Sequence, residues 1–199
     1  MRRPTKQEID DEIVDQAAAL FARHGFKETS VQRIADAAGY SKTGLLHRFP
    51  SKEALWEAVS GRCTGVLREI GARVEGQPLG PGRDRVVLEA LADVALAHPG
   101  LIALVLSAFS RMTETGESAL LDEVGQVLLA AFGIDVHHPA DPEHPDLGRA
   151  TRVVGALGAL AVAALALRDH PRDEVRGHLV ATSYDALGHP HPAATRGTP

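Results

Sequence analysis

Lys42, Thr43 and Gly44 follow Ser41, a good helix N-cap, and so stand at the exposed N-terminal end of a short helical segment. A lysine in that place can donate to guanine O6 and N7, a contact worth about 1–3 kcal/mol of discrimination, and a threonine methyl can pack on thymine. The remaining chemistry-bearing side chains make a weaker set. His137, His138, Asp141, Glu143 and His144 could supply metal ligands, with His170, His178, His189 and His191 in reserve, but their spacing matches no zinc signature and three prolines break the loop. A helical metal-binding protein or enzyme built on the 137–144 loop is therefore the rival reading, and a protein-interaction module is another. No Gly-rich phosphate loop, HExxH or GxSxG motif occurs, and no cofactor is expected. The single thiol, Cys63, falls mid-helix on an apolar face and reads as buried and inert.

Charge singles out the same segment. The chain of 199 residues has a formal net charge of -5, which taken whole argues against a nucleic-acid partner. Between Arg23 and Lys52, however, six cationic residues face only Glu28 and Asp36, and every lysine lies at or before Lys52. From Ala58 onward 12 arginines are outnumbered by 17 acids. A basic head on an acidic body is the footprint of a nucleic-acid-binding module carried by a domain with another task. With 44% hydrophobic and 24% charged residues the chain can bury a core, and its few aromatics and Ala/Leu-rich apolar set favour an all-α fold. One cysteine and an acidic stretch (Glu8, Asp10, Asp11, Glu12) where a signal peptide would be apolar suggest a cytoplasmic protein. The longest apolar run, Val153 to Leu167, is short for a membrane span.

Helical periodicity supplies the elements that must position these residues. Thr5 and Glu8 form a capping box, after which Ile9, Ile13, Ala17, Leu20 and Phe21 share a face until Gly25, suited to a left-handed stop. A second capping box, Thr29 to Gln32, opens a short helix with Val31, Ile34, Ala35 and Ala38 as its apolar side, ended by Gly39. The next helix, Lys42 to Arg48, completes a helix-turn-helix pinned by Leu45 and Phe49. From Lys52 a helix of about 25 residues runs toward Gly76. Further helices are expected over 83–97, 101–112, 118–132, 147–168 and 173–187, and His189 to Pro199 reads as a disordered tail.

Gly25-Phe26, Thr29-Ser30-Val31, Ile34-Ala35, Ala38-Gly39, Ser41-Lys42, Leu45, Phe49 and Ser51-Lys52-Glu53-Ala54-Leu55 together resemble the DNA-binding head of tetracycline-repressor-type (TetR family) transcriptional regulators. The likeness spans roughly residues 5 to 60. It implies a head over residues 1–50, with the opening of the fourth helix to about residue 56 in the contact region, and a ligand-binding and dimerisation body over 51–188. It also implies a homodimeric repressor that leaves a palindromic double-stranded operator when a small effector binds. Position by position, Lys42, Thr43 and Gly44 fall where the family reads bases, with Gln32 adding a contact from the preceding helix, while Ser30, Arg48 and Lys52 fall where it holds phosphates. Leu46 stands where members commonly carry a tyrosine, and Tyr40 is the expected substitute.

In the body, Cys63, Leu67, Leu104, Phe109, Met112, Val124 and Leu128 are candidates to line an apolar pocket, although the same stripes would serve as plain core. The absence of charge on them points to an apolar or amphipathic ligand. The small, apolar segment around Val154, Gly155, Gly158 and Val162, with Leu179 and Tyr184, suits the dimer interface that the resemblance implies.

Overall fold

The structure, a computed structural model, describes residues 4–115, 119–134 and 147–189. Among these residues there are nine helices and no strand, as the all-α expectation requires. They are α1 (Lys6–Glu28), α2 (Val31–Ala37), α3 (Lys42–Arg48), α4 (Lys52–Val74), α5 (Pro81–Ala97), α6 (Pro99–Thr115), α7 (Ala119–Ala131), α8 (Leu147–Ala166) and α9 (Arg172–Ala186). They fall into two compact units. One comprises Met1–Glu69 with Ala97–Gly125, the other Ile70–Leu96 with Gln126–Pro199.

In the first unit, α1 begins as expected. Thr5 Oγ1 accepts from the Glu8 amide at 3.2 Å, and Glu8 Oε2 accepts from the Thr5 amide at 2.7 Å. Its end differs from a left-handed cap. Gly25 has φ 79° but an extended ψ of 162°, a conformation nearly reserved for glycine, so the chain kinks and then makes one more turn to Glu28. The kink brings Phe26 onto Phe21 (5.5 Å between ring centroids) and Trp56 (5.7 Å), a cluster that ties the end of α1 to the start of α4. Thr29 is buried and locks the kink by donating its hydroxyl to the Gly25 carbonyl at 2.7 Å. That use of Thr29 corrects the second capping box: Ser30 is the N-cap of α2, accepting from the Arg33 amide, and Gln32 bonds Asp36 instead of reaching back. Ile13, Ala17, Phe21, Ile34, Ala35, Leu45, Leu55 and Val59 form the buried centre of this unit.

The unit extends past the head because α6 docks on α1. Asp15, midway along α1, accepts from the Gly100 amide (Oδ2, 3.1 Å) and the Leu101 amide (Oδ1, 3.0 Å), satisfying two donors that the first turn of α6 would otherwise leave unmade. Gly100 is buried against the α1 backbone: a Cβ there would fall on the Asp15 carbonyl oxygen and within 2.8 Å of its carbon. Asp15 is thus more than one of several acids favoured by the dipole of α1.

In the second unit, α8 packs on α9 through Val153, Ala156, Leu160 and Ala164 from one side and Val175, Leu179 and Val180 from the other. Helix α8 has 20 residues, more than the uncharged run suggested, and by length and composition it could cross a membrane. Arg83 holds neighbouring helix ends together, donating to the carbonyls of Ala131 (2.8 Å) and Gln77 (3.1 Å). Asp84 is fully buried and carries a bidentate bond from Arg149. His189, assigned from sequence to the tail, packs here, with its ring on Tyr184 and its Nε2 2.7 Å from Asp84 Oδ2.

Candidate nucleic-acid interface

Helix α3 is seven residues long and owes its stability to what holds it. Ser41 caps its start, with Oγ accepting from the Gly44 amide at 3.1 Å. Leu45 is fully buried at its centre. The turn from α2 is made by Gly39 at φ 73° and by a bond from the Tyr40 amide to the Ala35 carbonyl at 2.8 Å. Gly44, costly in a helix by about 1 kcal/mol against alanine, has a local reason. A Cβ at that position would lie 3.1 Å from Ser41 Oγ, so its absence leaves the cap undisturbed.

These anchors leave Lys42, Thr43 and His47 exposed on α3, with Gly44 and Leu46 half-buried beside them. Thr43 and His47 are four residues apart and share a helix face. His47 was not singled out from sequence, although that spacing from Thr43 was the signal that could have found it. Gln32 is exposed on α2 with its amide bonded to Asp36 Oδ1 at 2.7 Å, and Ser30 is exposed while capping that helix. Tyr40 is half-buried.

Two expected phosphate ligands prove to have other partners. Arg48 pairs with Asp10 of α1. Lys52 Nζ donates to the carbonyls of Phe26 (2.9 Å) and Lys27 (3.1 Å) and lies 4.5 Å from the centre of the Phe26 ring. The physical reason is the end of α1: the Phe26 carbonyl has only a long bond from the Thr29 amide (3.4 Å), and the Lys52 ammonium adds a donor to it and to the Lys27 carbonyl. Arg23, Lys27, Arg33 and Lys42 remain as exposed cations in the basic segment, their side chains unpaired among the described residues.

Of the expected pocket residues, Cys63, Leu67, Leu104, Val124 and Leu128 are buried, while the side chains of Phe109 and Met112 lie outside the described residues. Burial pushes the Cys63 thiol up to about 11, opposed in part by Arg62. Of the expected interface residues, Val154, Gly155 and Val162 are exposed and Gly158 is half-buried. Leu179 differs, being 2% exposed in the core of its own unit, and Tyr184 is half-buried against His189. The 137–144 loop lies outside the described residues, among which no group of three or more His, Cys, Asp or Glu could hold a metal.

Comparison with known proteins matches the same segment. Residues 13–59 fit the family model of bacterial regulatory proteins, tetR family. The HTH-type transcriptional regulator RutR of Escherichia coli (strain K12) is 32% identical over 139 residues, 66% of this chain and 66% of RutR, so the match spans just under two thirds of that relative. The HTH-type transcriptional repressor KstR2 of Rhodococcus jostii (strain RHA1) is 46% identical over 48 residues, 24% of each chain. A TetR-like transcriptional regulator from Rhodococcus sp. RHA1 shares the fold, with a TM-score of 0.56 at 23% identity over 94% of this chain and 100% of the other. With the helix-turn-helix geometry and these relatives agreeing, the chain belongs to the TetR family of bacterial regulatory proteins.

Proposed function

We propose that this protein is a sequence-specific DNA-binding transcriptional regulator, acting as a homodimeric repressor on a palindromic operator. The observation that carries the reading is the exposed face of α3, where Lys42, Thr43 and His47 project from a helix fixed by the Ser41 cap and the buried Leu45. Lys42 would donate to guanine, the Thr43 methyl would pack on thymine, and Gly44 would let the backbone approach the bases. Gln32 and Tyr40 border that face, and Ser30 stands at the start of α2, a helix N-terminus suited to a phosphate. The head up to residue 50, with the opening of α4, would make these contacts. The body from residue 51 to 188 would pair two chains and hold an effector.

Dimerisation finds support in α8, where Val154 is 53% and Val162 58% exposed on a side that also carries Gly155. Small and apolar residues there suit close approach of a second copy's helices. A dimer with recognition helices about 34–36 Å apart would meet successive major grooves. An apolar or amphipathic effector that fits a conformation with other spacing would lower operator affinity by its differential binding to the two states.

Selection from a random duplex library tests this reading, run with the intact protein and with Lys42→Ala. The intact protein should enrich an inverted repeat, and Lys42→Ala should lose preference at one position of each half-site. Failure of the intact protein to enrich any motif at moderate salt would refute sequence-specific binding by the unliganded protein.

A further inference from the structure

The second unit holds a cavity of about 360 Å³ lined by Gly148, Arg149 and Arg152 of α8 and by Leu187, Gly188 and His189 at the exit of α9. None of the residues expected from sequence to line an effector pocket contributes to it. Its polar lining is cationic. Asp84, the carboxylate that holds two of the lining residues, is fully buried: Oδ1 accepts from Arg149 Nη2 at 3.0 Å, while Oδ2 accepts from Arg149 Nη1 at 3.2 Å and from His189 Nε2 at 2.7 Å. Since a carboxylate paired with arginine can only accept, Nε2 carries a hydrogen and the imidazole is fixed by that bond and by the Tyr184 ring 4.8 Å away. Arg149 is further anchored by donating Nη2 to the Phe132 carbonyl at 2.7 Å. Asp84 thus orients two cavity residues while standing outside the lining.

Arg152 is the group left over. No carboxylate pairs with it among the described residues, and it lies across Gly188, where a Cβ would meet its guanidinium, 2.9 Å from Cζ. Gly188, at φ 78°, therefore supplies both the turn and the space that seats the guanidinium. With Asp84 cancelling Arg149, the formal charge of the lining residues is still +1, carried by Arg152. Leu187 gives an apolar wall, and the volume is that of a small-molecule site.

We infer that this cavity binds a small organic anion, with Arg152 as the fork that takes a carboxylate or phosphate group and Arg149 and His189, both held by Asp84, as a fixed polar wall beside it. Binding would bridge the first turns of α8 to the end of α9 and stabilise that pair. The inference concerns the second unit alone and stands or falls independently of DNA binding.

Titration calorimetry on the full chain tests it, using sodium benzoate and inorganic phosphate as carboxylate and phosphate probes, with sodium chloride at equal ionic strength as control. At least one probe should bind saturably at one site per chain, and its binding should raise the melting temperature. Arg152→Ala should weaken that binding at least ten-fold, and Arg152→Lys, which keeps the charge but loses the fork, should fall between. Since Arg152 is exposed and unpaired among the described residues, both variants should melt with the parent in probe-free buffer. Heats no different from those of chloride, or an affinity unchanged in Arg152→Ala and Arg152→Lys, would overturn the inference.

Discussion

Gly100→Ala should destabilise the protein, against the ordinary preference of helices for alanine. A Cβ at Gly100 would stand on the Asp15 carbonyl oxygen, 2.8 Å from its carbon, where carbon atoms pack at about 3.5–4.0 Å. Relief requires α6 to retreat from α1 by about 1 Å. That motion stretches the bonds from the Gly100 and Leu101 amides to the Asp15 carboxylate, now 3.1 and 3.0 Å, beyond hydrogen-bonding range. Each bond to a charged acceptor contributes about 1.5–3 kcal/mol, and alanine returns at most about 1 kcal/mol of helix propensity. The net loss is about 2–5 kcal/mol, to be read from urea unfolding followed by circular dichroism. Gly71→Ala in α4 is the internal control, because a Cβ there meets nothing within 4 Å. It should stabilise by about 0.5–1 kcal/mol. A Gly100→Ala protein within about 0.5 kcal/mol of the parent, or shifted in the same direction as Gly71→Ala, would refute the account of the α1–α6 joint.

Lys52→Met should lower stability by about 1–2 kcal/mol in thermal or urea unfolding, through loss of the bonds to the Phe26 and Lys27 carbonyls, and should leave the salt dependence of DNA binding nearly unchanged. A drop of about one in the salt slope, with stability intact, would instead make Lys52 a phosphate ligand. Val162→Arg should yield monomers in sedimentation velocity with helix content retained, since the side chain is 58% exposed within one chain; an unchanged sedimentation coefficient would place the dimer contact elsewhere. The Cys63 thiol, raised from 9.0 to about 11 in the folded protein, ties stability to alkaline pH. The folded state keeps its proton where the unfolded chain has lost it, so the contribution is whole below pH 9 and drains away as pH rises toward 11. At about 1.4 kcal/mol per unit the loss approaches 2–3 kcal/mol, and Cys63→Ala should flatten the stability profile in that window relative to the parent. Parallel profiles for the two proteins would contradict it.

How far the fold was legible follows the range of each interaction. The Thr5–Glu8 capping box, the Ser41 cap, the Gly39 turn and the burial of Ile34 and Leu45 are all set within a few residues, and sequence spacing located them. Misreadings came where a side chain's partner is far along the chain. Asp15 looked like one more acid in a negative first half of α1, yet it serves α6, 85 and 86 residues away. Asp84, Arg149 and His189 carry no sequence signal as a group, because nothing local links positions 65 and 105 residues apart. Leu179 showed the limit of periodicity on an apolar helix: helical spacing groups residues by face but cannot say whether that face meets its own chain or another.

The basic head shows why net charge locates an interface better than it identifies contacts. Six cations between Arg23 and Lys52 suggested a surface tuned for phosphate, but Arg48 and Lys52 are the half-buried members of that set, and each is engaged by α1. Their bonds fasten the start of α4 and the end of α3 to α1, the helix that also carries the kink and the docking site for α6. A charge used in this way fixes the angle of α3. Because a seven-residue helix cannot hold its own shape, such fastening is a precondition for Lys42 and Thr43 to meet base edges with any precision. The same segment thus divides its cations by exposure: those fastened to α1 determine where the helix points, and Lys42 is left exposed at its tip, the place the proposed base contact requires.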